Sequence, residues 1–409
     1  MNRQIPVDQS FVRKVNTLTV MDALRLFAPL SRAELSAQTG LNRSTISSII
    51  GELIQDGYVQ ETNLQDPKIG RPGMLLQLSP NGGFAVGIEI GVDFFSIILA
   101  NFTAEVLWRK RVFHDSQAPS VQIIEQAEAL INESIGIGTA HGLRPLGIGV
   151  GLPGLVDARQ GKLVNAPNLG WSVMPLRLMW TRLFNLPVFV ENEANSGAMG
   201  EYFFGAAHGK EDFIYMSTGI GLGGGIMIGG KLFKGSNGYA GEIGHTTIYA
   251  GGEQCGCGSR GCWETYVGPR AIIRRIRQTL EEGHHSVIND LVRGDLDKLT
   301  VDVVVEAALC ADPIALKALR DVGTDLGAGI SNLINIFNPE LVVVGGVLSP
   351  ASPWLLPIIQ ESILRNTLPQ LIENVSVVPS QLGLDSCVLG AIALVLDDVV
   401  REPLHSMLA

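Results

Sequence analysis

The chain has few cysteines and no long apolar run, and both shortages exclude classes of protein. Its 409 residues include five cysteines, too few for a disulfide framework in a chain of this size. The most apolar stretch, residues 82–102, is interrupted by Glu89 and Asp93, so it predicts buried strands rather than a membrane span. The first ten residues are polar and lack the apolar core of a secretory signal. We therefore expect a cytoplasmic protein without a membrane partner.

Charged residues are also scarce, at 17% of the chain, and the net charge is −10. This acidic balance argues against indiscriminate nucleic-acid binding by the whole surface. Residues 1–80, however, carry eight Lys and Arg against seven Asp and Glu, so a local DNA-binding domain remains open. Apolar residues (46%) and glycine (48 residues) are abundant, and a chain of this length can form two or three cores. The composition predicts a compact α/β protein.

The N-terminal residues predict three helices. Apolar side chains recur at spacings of three and four over residues 8–28, until Pro29 breaks the pattern. Ser31 and Glu34 predict a capping box for a second helix that ends at Gly40. A third helix, over about residues 42–55, combines a buried isoleucine-rich face with a short polar face suited to a major groove. The apolar positions of the first helix are Phe11, Val15, Leu18, Met21, Leu24 and Phe27, and those of the third are Ile46, Ile49, Ile50 and Leu53.

Two short strands, residues 58–62 and 74–78, enclose a tip rich in proline and glycine that predicts a β-wing. An arginine at such a tip is suited to a narrow minor groove. The helices alone leave open a three-helix domain for protein contacts, and the wing favours DNA binding. The predicted DNA contacts are Ser31, Arg32, Asn42, Arg43, Ser44, Thr45, Ser47, Ser48, Lys68 and Arg71.

The body of the chain repeats one pattern. Residues 84–107 and 213–233 both read as strand, turn, strand, turn, strand, which predicts an internal duplication with a ligand cleft between two lobes. The glycine-rich tract 216–225 and the turn at Gly345-Gly346 could each cradle a phosphate, although tight hairpins explain either turn as well. Residues 386–401 predict a helix that packs back on the first lobe.

His245 and three closely spaced cysteines form the most specific local signal. Three thiolates and an imidazole within eighteen residues match a closed tetrahedral zinc site, and a site filled by four protein ligands is structural. Free thiols beside an unrelated histidine are the alternative. The predicted ligands of a structural Zn²⁺ are His245, Cys255, Cys257 and Cys262.

Five motifs of the chain are more specific together than any one of them alone. They are residues 31–35 (SRAEL), 151–157 (GLPGLVD), 191–195 (ENEAN), 241–245 (GEIGH) and 262–264 (CWE). With them the chain resembles the ROK family (repressor, open reading frame, kinase), nearest to its xylose-repressor branch, over essentially the full length. The resemblance implies a winged helix-turn-helix domain at 1–80, followed by a two-lobed actin-like, sugar-kinase (RNase H-like) α/β domain. The first lobe would comprise 81–197 and 386–409, and the second, 198–385, would hold the zinc site.

The resemblance also implies a monosaccharide site. Carboxylates accept hydrogen bonds from vicinal hydroxyls, and an asparagine amide both donates and accepts. His245 would bind the metal through one nitrogen and face the sugar with the other, which couples metal loading to sugar affinity. Glu191 is as readily a surface or packing residue, and Trp171 a core residue. The implied sugar-binding residues are Gly154, Asn192, Glu193, Glu242, His245 and Glu264.

Two departures from the family's kinases argue against phosphoryl transfer. The kinases carry Asp-x-Gly-Gly-Thr at the first glycine turn, whereas residues 89–93 here read Glu-Ile-Gly-Val-Asp. Asp93 would repel a phosphate. The family's catalytic aspartate corresponds here to Glu193, and a shift of a catalytic group by about 1 Å can cost about 100-fold in rate. We therefore predict that the chain is not an enzyme and has no catalytic residue, while the intact glycine-rich tract 217–225 leaves residual nucleotide binding open. An ATP-dependent sugar kinase with an accessory DNA-binding domain is the alternative.

The combined prediction is a sugar-responsive repressor of carbohydrate catabolism genes. Two winged domains of a homodimer or homotetramer would bind a pseudo-palindromic operator. Because Glu193 would occupy the space of a hexose C6 hydroxymethyl group, we expect an aldopentose such as xylose as the effector. A sugar-responsive module that binds a protein partner instead of DNA is a third interpretation.

Overall fold

The computed structural model describes residues 9–62 and 74–401, and its N-terminal part forms the predicted winged helix-turn-helix. The three predicted helices and the two strands beside the wing are confirmed. A further short strand, Leu30–Ser31, joins them in an antiparallel sheet of order β1-β3-β2. The wing tip with Lys68 and Arg71 lies outside the described residues. The elements are α1 (Gln9–Phe27), β1 (Leu30–Ser31), α2 (Arg32–Thr39), α3 (Arg43–Gln55), β2 (Val59–Thr62) and β3 (Leu75–Leu78).

The capping box of α2 is present as predicted. The Ser31 hydroxyl accepts a hydrogen bond from the Glu34 backbone N–H at 3.2 Å, and the Ser31 N–H donates to the Glu34 carboxylate at 2.7 Å. The helix ends at Gly40, whose φ of 70° is the left-handed conformation that glycine adopts without strain. These caps fix the corner between α2 and α3.

Replacing Ser31 by alanine is expected to lower the free energy of opening of α2 by about 1 kcal/mol, because one N-terminal N–H loses its acceptor. Amide hydrogen exchange in α2 measures this loss, and unchanged protection would contradict it.

The Ser31 N–H also lowers the pKa of the Glu34 carboxyl. The stabilisation by ionised Glu34 is therefore complete above its ordinary pKa of 4.5 and is lost as the pH falls through the lowered value. Glu34→Gln should remove that pH dependence.

Three residues of these helices are exposed to solvent, Val15 and Phe27 of α1 and Gly51 of α3. Val15 is 43% exposed and Phe27 is 57% exposed, because the core of this small domain covers only the middle of α1, where Val20, Met21 and Leu24 are buried. Gly51 of α3 is not explained by close packing. It is exposed, and no heavy atom of the described residues lies within 4 Å of a Cβ built on it.

Gly51→Ala is therefore expected to stabilise α3 by up to about 1 kcal/mol, since alanine restricts the unfolded chain and meets no neighbour. Amide hydrogen exchange in α3 tests this. Lower protection than in the wild type would show that the position is crowded after all.

The first large sheet begins with the predicted meander and has the strand order β10-β7-β4-β5-β6. Pro119 leads into a long helix that packs on β4 and β5, and a short hairpin, β8–β9, follows β7. The elements are β4 (Phe84–Ile90), β5 (Phe94–Asn101), β6 (Val106–Phe113), α4 (Ser120–Ala140), β7 (Pro145–Leu152), β8 (Leu155–Asp157), β9 (Lys162–Asn165), α5 (Leu176–Phe184), β10 (Val188–Asn192) and α6 (Glu193–Phe204).

The second large sheet repeats that plan. Its order is β13-β12-β11-β14-β15, a meander followed by two strands parallel to its first strand. The matching order of the two sheets supports the predicted duplication. The elements are β11 (Phe213–Thr218), β12 (Leu222–Ile228), β13 (Lys231–Leu232), α7 (Glu264–Val267), α8 (Pro269–Glu281), α9 (Val287–Leu291), α10 (Val301–Leu309), α11 (Pro313–Phe337), β14 (Leu341–Gly346), α12 (Ser352–Asn366), α13 (Pro369–Ile372), β15 (Ser376–Pro379) and α14 (Ser386–Arg401).

The described residues group into two compact units. The first comprises those within Met1–Val150, Leu176–Phe189 and Ala391–Ala409, and the second those within Gly151–Pro175 and Val190–Gly390. Within the first unit, the C-terminal helix α14 packs on β7 as predicted, so closely that a Cβ at Gly149 would lie 1.9 Å from the Ala391 carbonyl oxygen. In the described part of the chain, no helix is long and apolar enough to cross a bilayer.

Candidate functional site

Asn192 lies where β10 ends and α6 begins, and its side chain is hydrogen-bonded to two other predicted sugar-binding residues, Gly154 and Glu193. Its Oδ1 caps α6 by accepting from the N–H groups of Ala194 (2.8 Å) and Asn195 (3.3 Å). Its Nδ2 donates to the Gly154 carbonyl and to the Glu193 carboxylate, both at 2.9 Å. The cap and the amide hydrogen bonds together fix the position of the Asn192 side chain.

Gly154 can only be glycine in this arrangement. Its φ is 101°, and a Cβ would lie 2.4 Å from the Asn165 carbonyl oxygen. The loop between β7 and β8 therefore reaches Asn192 because position 154 has no side chain.

Glu242, His245 and Glu264 form a second group. His245 lies in a 3₁₀ turn, with Nδ1 3.5 Å from a Glu264 oxygen and Nε2 3.9 Å from a Glu242 oxygen. Burial raises the pKa of the Glu242 carboxyl, while His245 opposes that shift. All three side chains retain exposed surface, so a polar ligand can reach them.

The glycine-rich tract 216–225, which forms the end of β11, the turn after it and the start of β12, lies against both groups. A Cβ on Gly221 would come within 2.5 Å of a Glu264 oxygen, and a Cβ on Gly223 would lie 3.5 Å from a Glu193 oxygen. The structure thus brings Glu193 and Glu264 to one glycine-rich tract within the second unit. All six predicted sugar-binding residues belong to this unit.

The predicted metal ligands, His245, Cys255, Cys257 and Cys262, converge, with all four ligand atoms within 4.8 Å of one another. The Cys257 and Cys262 sulfurs are 3.7 Å apart, and the Cys255 sulfur is 3.8 Å from the His245 Nδ1. Ligands at about 2.3 Å from a tetrahedral zinc lie about 3.8 Å apart, so the cluster fits that ion. Burial raises the pKa of the Cys255 thiol to about 12, whereas the backbone N–H of Ser259 lowers that of Cys257 to about 7.

Sequence reasoning missed the residues that support the segment with His245 and the three cysteines. Asp325 of α11 accepts hydrogen bonds from the Tyr249 hydroxyl at 2.6 Å and from Arg275 at 2.7 Å. Its backbone carbonyl accepts from the indole N–H of Trp263 at 2.9 Å. The hydrogen bond to Asp325 raises the pKa of Tyr249 to about 12. An aspartate in an amphipathic helix, some sixty residues from the cysteines, gives no sequence signal of this role.

The two later glycine turns, which are candidates for a phosphate cradle, contact each other through Thr218. Thr218, at the end of β11, donates its hydroxyl to the Gly345 carbonyl at 2.5 Å and accepts from the Leu348 N–H at 3.1 Å. The hydroxyl is fully buried. Its hydrogen bonds therefore join the end of β11 to β14 and to the turn that follows β14.

The predicted DNA-reading residues of α3 lie on its solvent side. Arg43, Ser44, Ser47 and Ser48 are exposed. Asn42 caps the helix by accepting from the Thr45 N–H at 2.8 Å, and it also accepts from the Ser44 hydroxyl.

Other residues beside this face have structural partners. Ser31 serves in the capping box, and Arg32 forms an ion pair with Glu61 at 2.7 Å. Sequence reasoning missed Arg13 of α1, which donates to Ser48 at 3.2 Å and pairs with Glu52. The Arg13 guanidinium group therefore lies beside the exposed face of α3 that is predicted to bind DNA.

Arg144 joins the end of α3 to the first large sheet. Its guanidinium donates to the carbonyls of Gly82 (3.1 Å) and Asp56 (3.3 Å), and it lies over the Tyr58 ring at 4.7 Å. Tyr58 in turn contacts Phe102, with ring centroids 5.0 Å apart. Asp56 is the C-cap of α3. The hydrogen bonds of Arg144 therefore connect the end of α3 to Gly82, which leads into the first large sheet.

Comparisons with known proteins match both parts of the chain. The ROK family model matches residues 85–398, and the IclR helix-turn-helix domain model matches residues 15–62. The xylose repressor of Caldicellulosiruptor bescii is 35% identical over 398 residues, which cover 97% of this chain and 99% of that protein.

Two solved structures extend the similarity. The structure of a ROK family transcriptional regulator, a homologue of the E. coli MLC protein, is 28% identical with a TM-score of 0.83, over 97% of this chain and 98% of that one. A ROK family glucokinase from Streptomyces griseus, in complex with glucose and AMPPNP, is 33% identical with a TM-score of 0.68, over 76% of this chain and 99% of that one.

Proposed function

The chain belongs to the ROK family, and from that membership we propose that it is a sugar-responsive, DNA-binding transcriptional repressor of carbohydrate catabolism. The N-terminal head binds operator DNA, and a monosaccharide bound in the second unit modulates that binding. The observation that carries the proposal is that Glu193 and Glu264 both lie against the glycine-rich tract 216–225, in a chain whose α3 presents a polar face to solvent. The full-length similarity to a xylose repressor supports the same function.

In the proposed site, each side chain has a distinct role toward the sugar. The carboxylates of Glu193, Glu242 and Glu264 accept hydrogen bonds from sugar hydroxyls, and Asn192 both donates and accepts. Gly154 allows the ring to approach the backbone. His245 directs Nε2 toward Glu242 and Nδ1 toward the thiols, which supports its dual use for sugar and metal.

We propose that the cysteine cluster holds a structural Zn²⁺. His245, Cys255, Cys257 and Cys262 would be its ligands, and the ion would fix the loop that carries Glu242 and Glu264. Its role is to hold these side chains in place.

We further propose that the chain is not a kinase. Thr218 directs its hydroxyl to β14, Asp93 stands where the family's kinases have a hydroxyl, and Glu193 replaces the catalytic aspartate. The similarity to a glucokinase bound to glucose and AMPPNP favours the alternative, an ATP-dependent sugar kinase with an accessory DNA-binding domain. A coupled assay for ADP release with several sugars separates the two. Turnover of about 1 per second or faster would establish the kinase.

The effector is proposed to be an aldopentose such as xylose. The Glu193 side chain is one methylene longer than the aspartate of the family's kinases, and we propose that it fills the space of a hexose C6 hydroxymethyl group. Xylose should therefore bind more tightly than glucose, and Glu193→Asp should reduce that preference. Isothermal titration of D-xylose and D-glucose measures both. Tighter glucose binding, together with an unchanged preference in Glu193→Asp, would refute this assignment.

The assembly proposed is a cytoplasmic homodimer or homotetramer on a pseudo-palindromic operator. The proposed domains are the winged helix-turn-helix at 1–80, a first lobe of 81–197 and 386–409, and a second lobe of 198–385. Fluorescence anisotropy with DNA from upstream of the gene, titrated with salt and with a panel of aldoses, tests the function. We expect steeply salt-dependent binding that an aldopentose weakens by about 5-fold to 150-fold. No binding, or binding that salt does not affect, would instead favour the protein-interaction module.

A further inference from the structure

The loop between β13 and the 3₁₀ turn, residues 233–241, carries Glu242 directly after its last residue. We call it the Lys234 loop. Its two ends are joined, since the Ala240 N–H donates to the Lys234 carbonyl at 3.2 Å. The Gly241 carbonyl accepts from the Gly224 N–H at 3.0 Å. The path of this loop therefore determines where Glu242 lies.

Glu191 is the residue of β10 that precedes Asn192, and its side chain is only 2% exposed. One carboxylate oxygen accepts from the Asn192 N–H and from the Asn195 amide, both at 3.1 Å. The other accepts from the Lys234 ammonium group. The alternative of a surface position for Glu191 is thus wrong, because the side chain is buried and both of its carboxylate oxygens accept hydrogen bonds.

A buried carboxylate requires a compensating cation and hydrogen bonds, since an unpaired charge in the interior is strongly disfavoured. Lys234 supplies that charge from the loop that precedes Glu242, while Asn192 and Asn195 hold the carboxylate from the junction of β10 and α6. The ion pair therefore links the two chain segments that carry Glu242 and Asn192. Its formation constrains the Lys234 loop relative to β10.

We propose that Lys234 and Glu191 are a positioning pair for the sugar site. The pair fixes Glu242 relative to Asn192 and Glu193, and it sets sugar affinity without contacting the sugar. This inference rests on the proposed function, because it concerns the same sugar. It assigns a role to two residues that belong to neither the sugar-binding set nor the metal ligands.

Lys234→Met tests the pair in the full-length, zinc-loaded protein. We expect xylose affinity to fall by about 10-fold to 100-fold, by analogy with the loss seen when the hydrogen-bond partners that orient metal ligands are removed. Zinc content and operator affinity without sugar should stay at the wild-type level. Lys234→Arg should restore most of the affinity, because arginine also reaches a buried carboxylate. Lys231→Met, at an exposed position of β13, is the matched control and should bind xylose normally.

The double variant Glu191→Gln, Lys234→Met separates positioning from the cost of an unpaired charge. Glutamine removes the charge but leaves the loop without its anchor, so xylose affinity should stay low although the protein folds. Recovery of wild-type affinity in the double variant would overturn the proposal, as would full affinity in Lys234→Met. If the wild-type protein binds no aldose at all, the proposed function itself fails, and the wild-type titration shows this directly.

Discussion

Cys262→Ser is expected to remove the bound zinc and to weaken xylose binding by more than about 100-fold, beyond the usual effect of losing an outer-sphere partner of a metal site. The Cys262 sulfur is fully buried and lies 3.7 Å from that of Cys257, so serine leaves the cluster with three strong ligands. Without the ion, the loop that carries His245 and Glu264 loses its fixed geometry. Zinc per chain by elemental analysis, together with isothermal titration of xylose, measures both effects.

Cys310→Ser provides the matched control. Cys310 is exposed at the end of α10 and is not part of the cluster, so its replacement should change neither zinc content nor xylose affinity. If Cys262→Ser lost its zinc but bound xylose normally, the metal would have no part in sugar binding.

The Asn192 side chain is expected to have an equally large effect. Asn192→Asp should weaken xylose binding by about 100-fold, a difference of about 2.7 kcal/mol. The amide that now donates to the Gly154 carbonyl and to Glu193 would become a carboxylate that faces two acceptors. Isothermal titration measures the affinity.

Asn192→Ala separates this effect from the capping of α6. Aspartate retains the N-cap acceptor, whereas alanine loses it at a cost of about 1 kcal/mol. Both variants should lose xylose affinity, and only Asn192→Ala should also show a lower melting temperature. Normal xylose binding by Asn192→Asp would remove Asn192 from the sugar site.

Local sequence signals predicted the head well because its elements are set by short-range interactions. The capping box at Ser31, the left-handed end at Gly40 and the buried isoleucines of α3 depend on residues a few positions apart. The exposure of Val15 and Phe27 could not be predicted in this way. Periodicity marks an apolar face of a helix, but only the tertiary structure decides how much of that face the core covers.

The candidate site was predictable where family motifs mark it and not where distant residues support it. The motifs include Asn192, Glu193 and His245. The contacts of Glu191 with Lys234 and of Asp325 with Tyr249 join residues 43 and 76 positions apart. Neither pair lies in a pattern that sequence periodicity can reveal, since such contacts depend on how the strands and helices pack. Arg144, which contacts the end of α3 from 88 positions away, was missed for the same reason.

The central claim is that sugar and operator binding are coupled, and linkage requires that coupling to be reciprocal. The most direct test is isothermal titration of xylose into the zinc-loaded protein, free and saturated with operator DNA. We predict weaker xylose binding on the operator, by the same factor of about 5 to 150 by which xylose weakens operator binding. Equal xylose affinity in the two titrations would contradict the account.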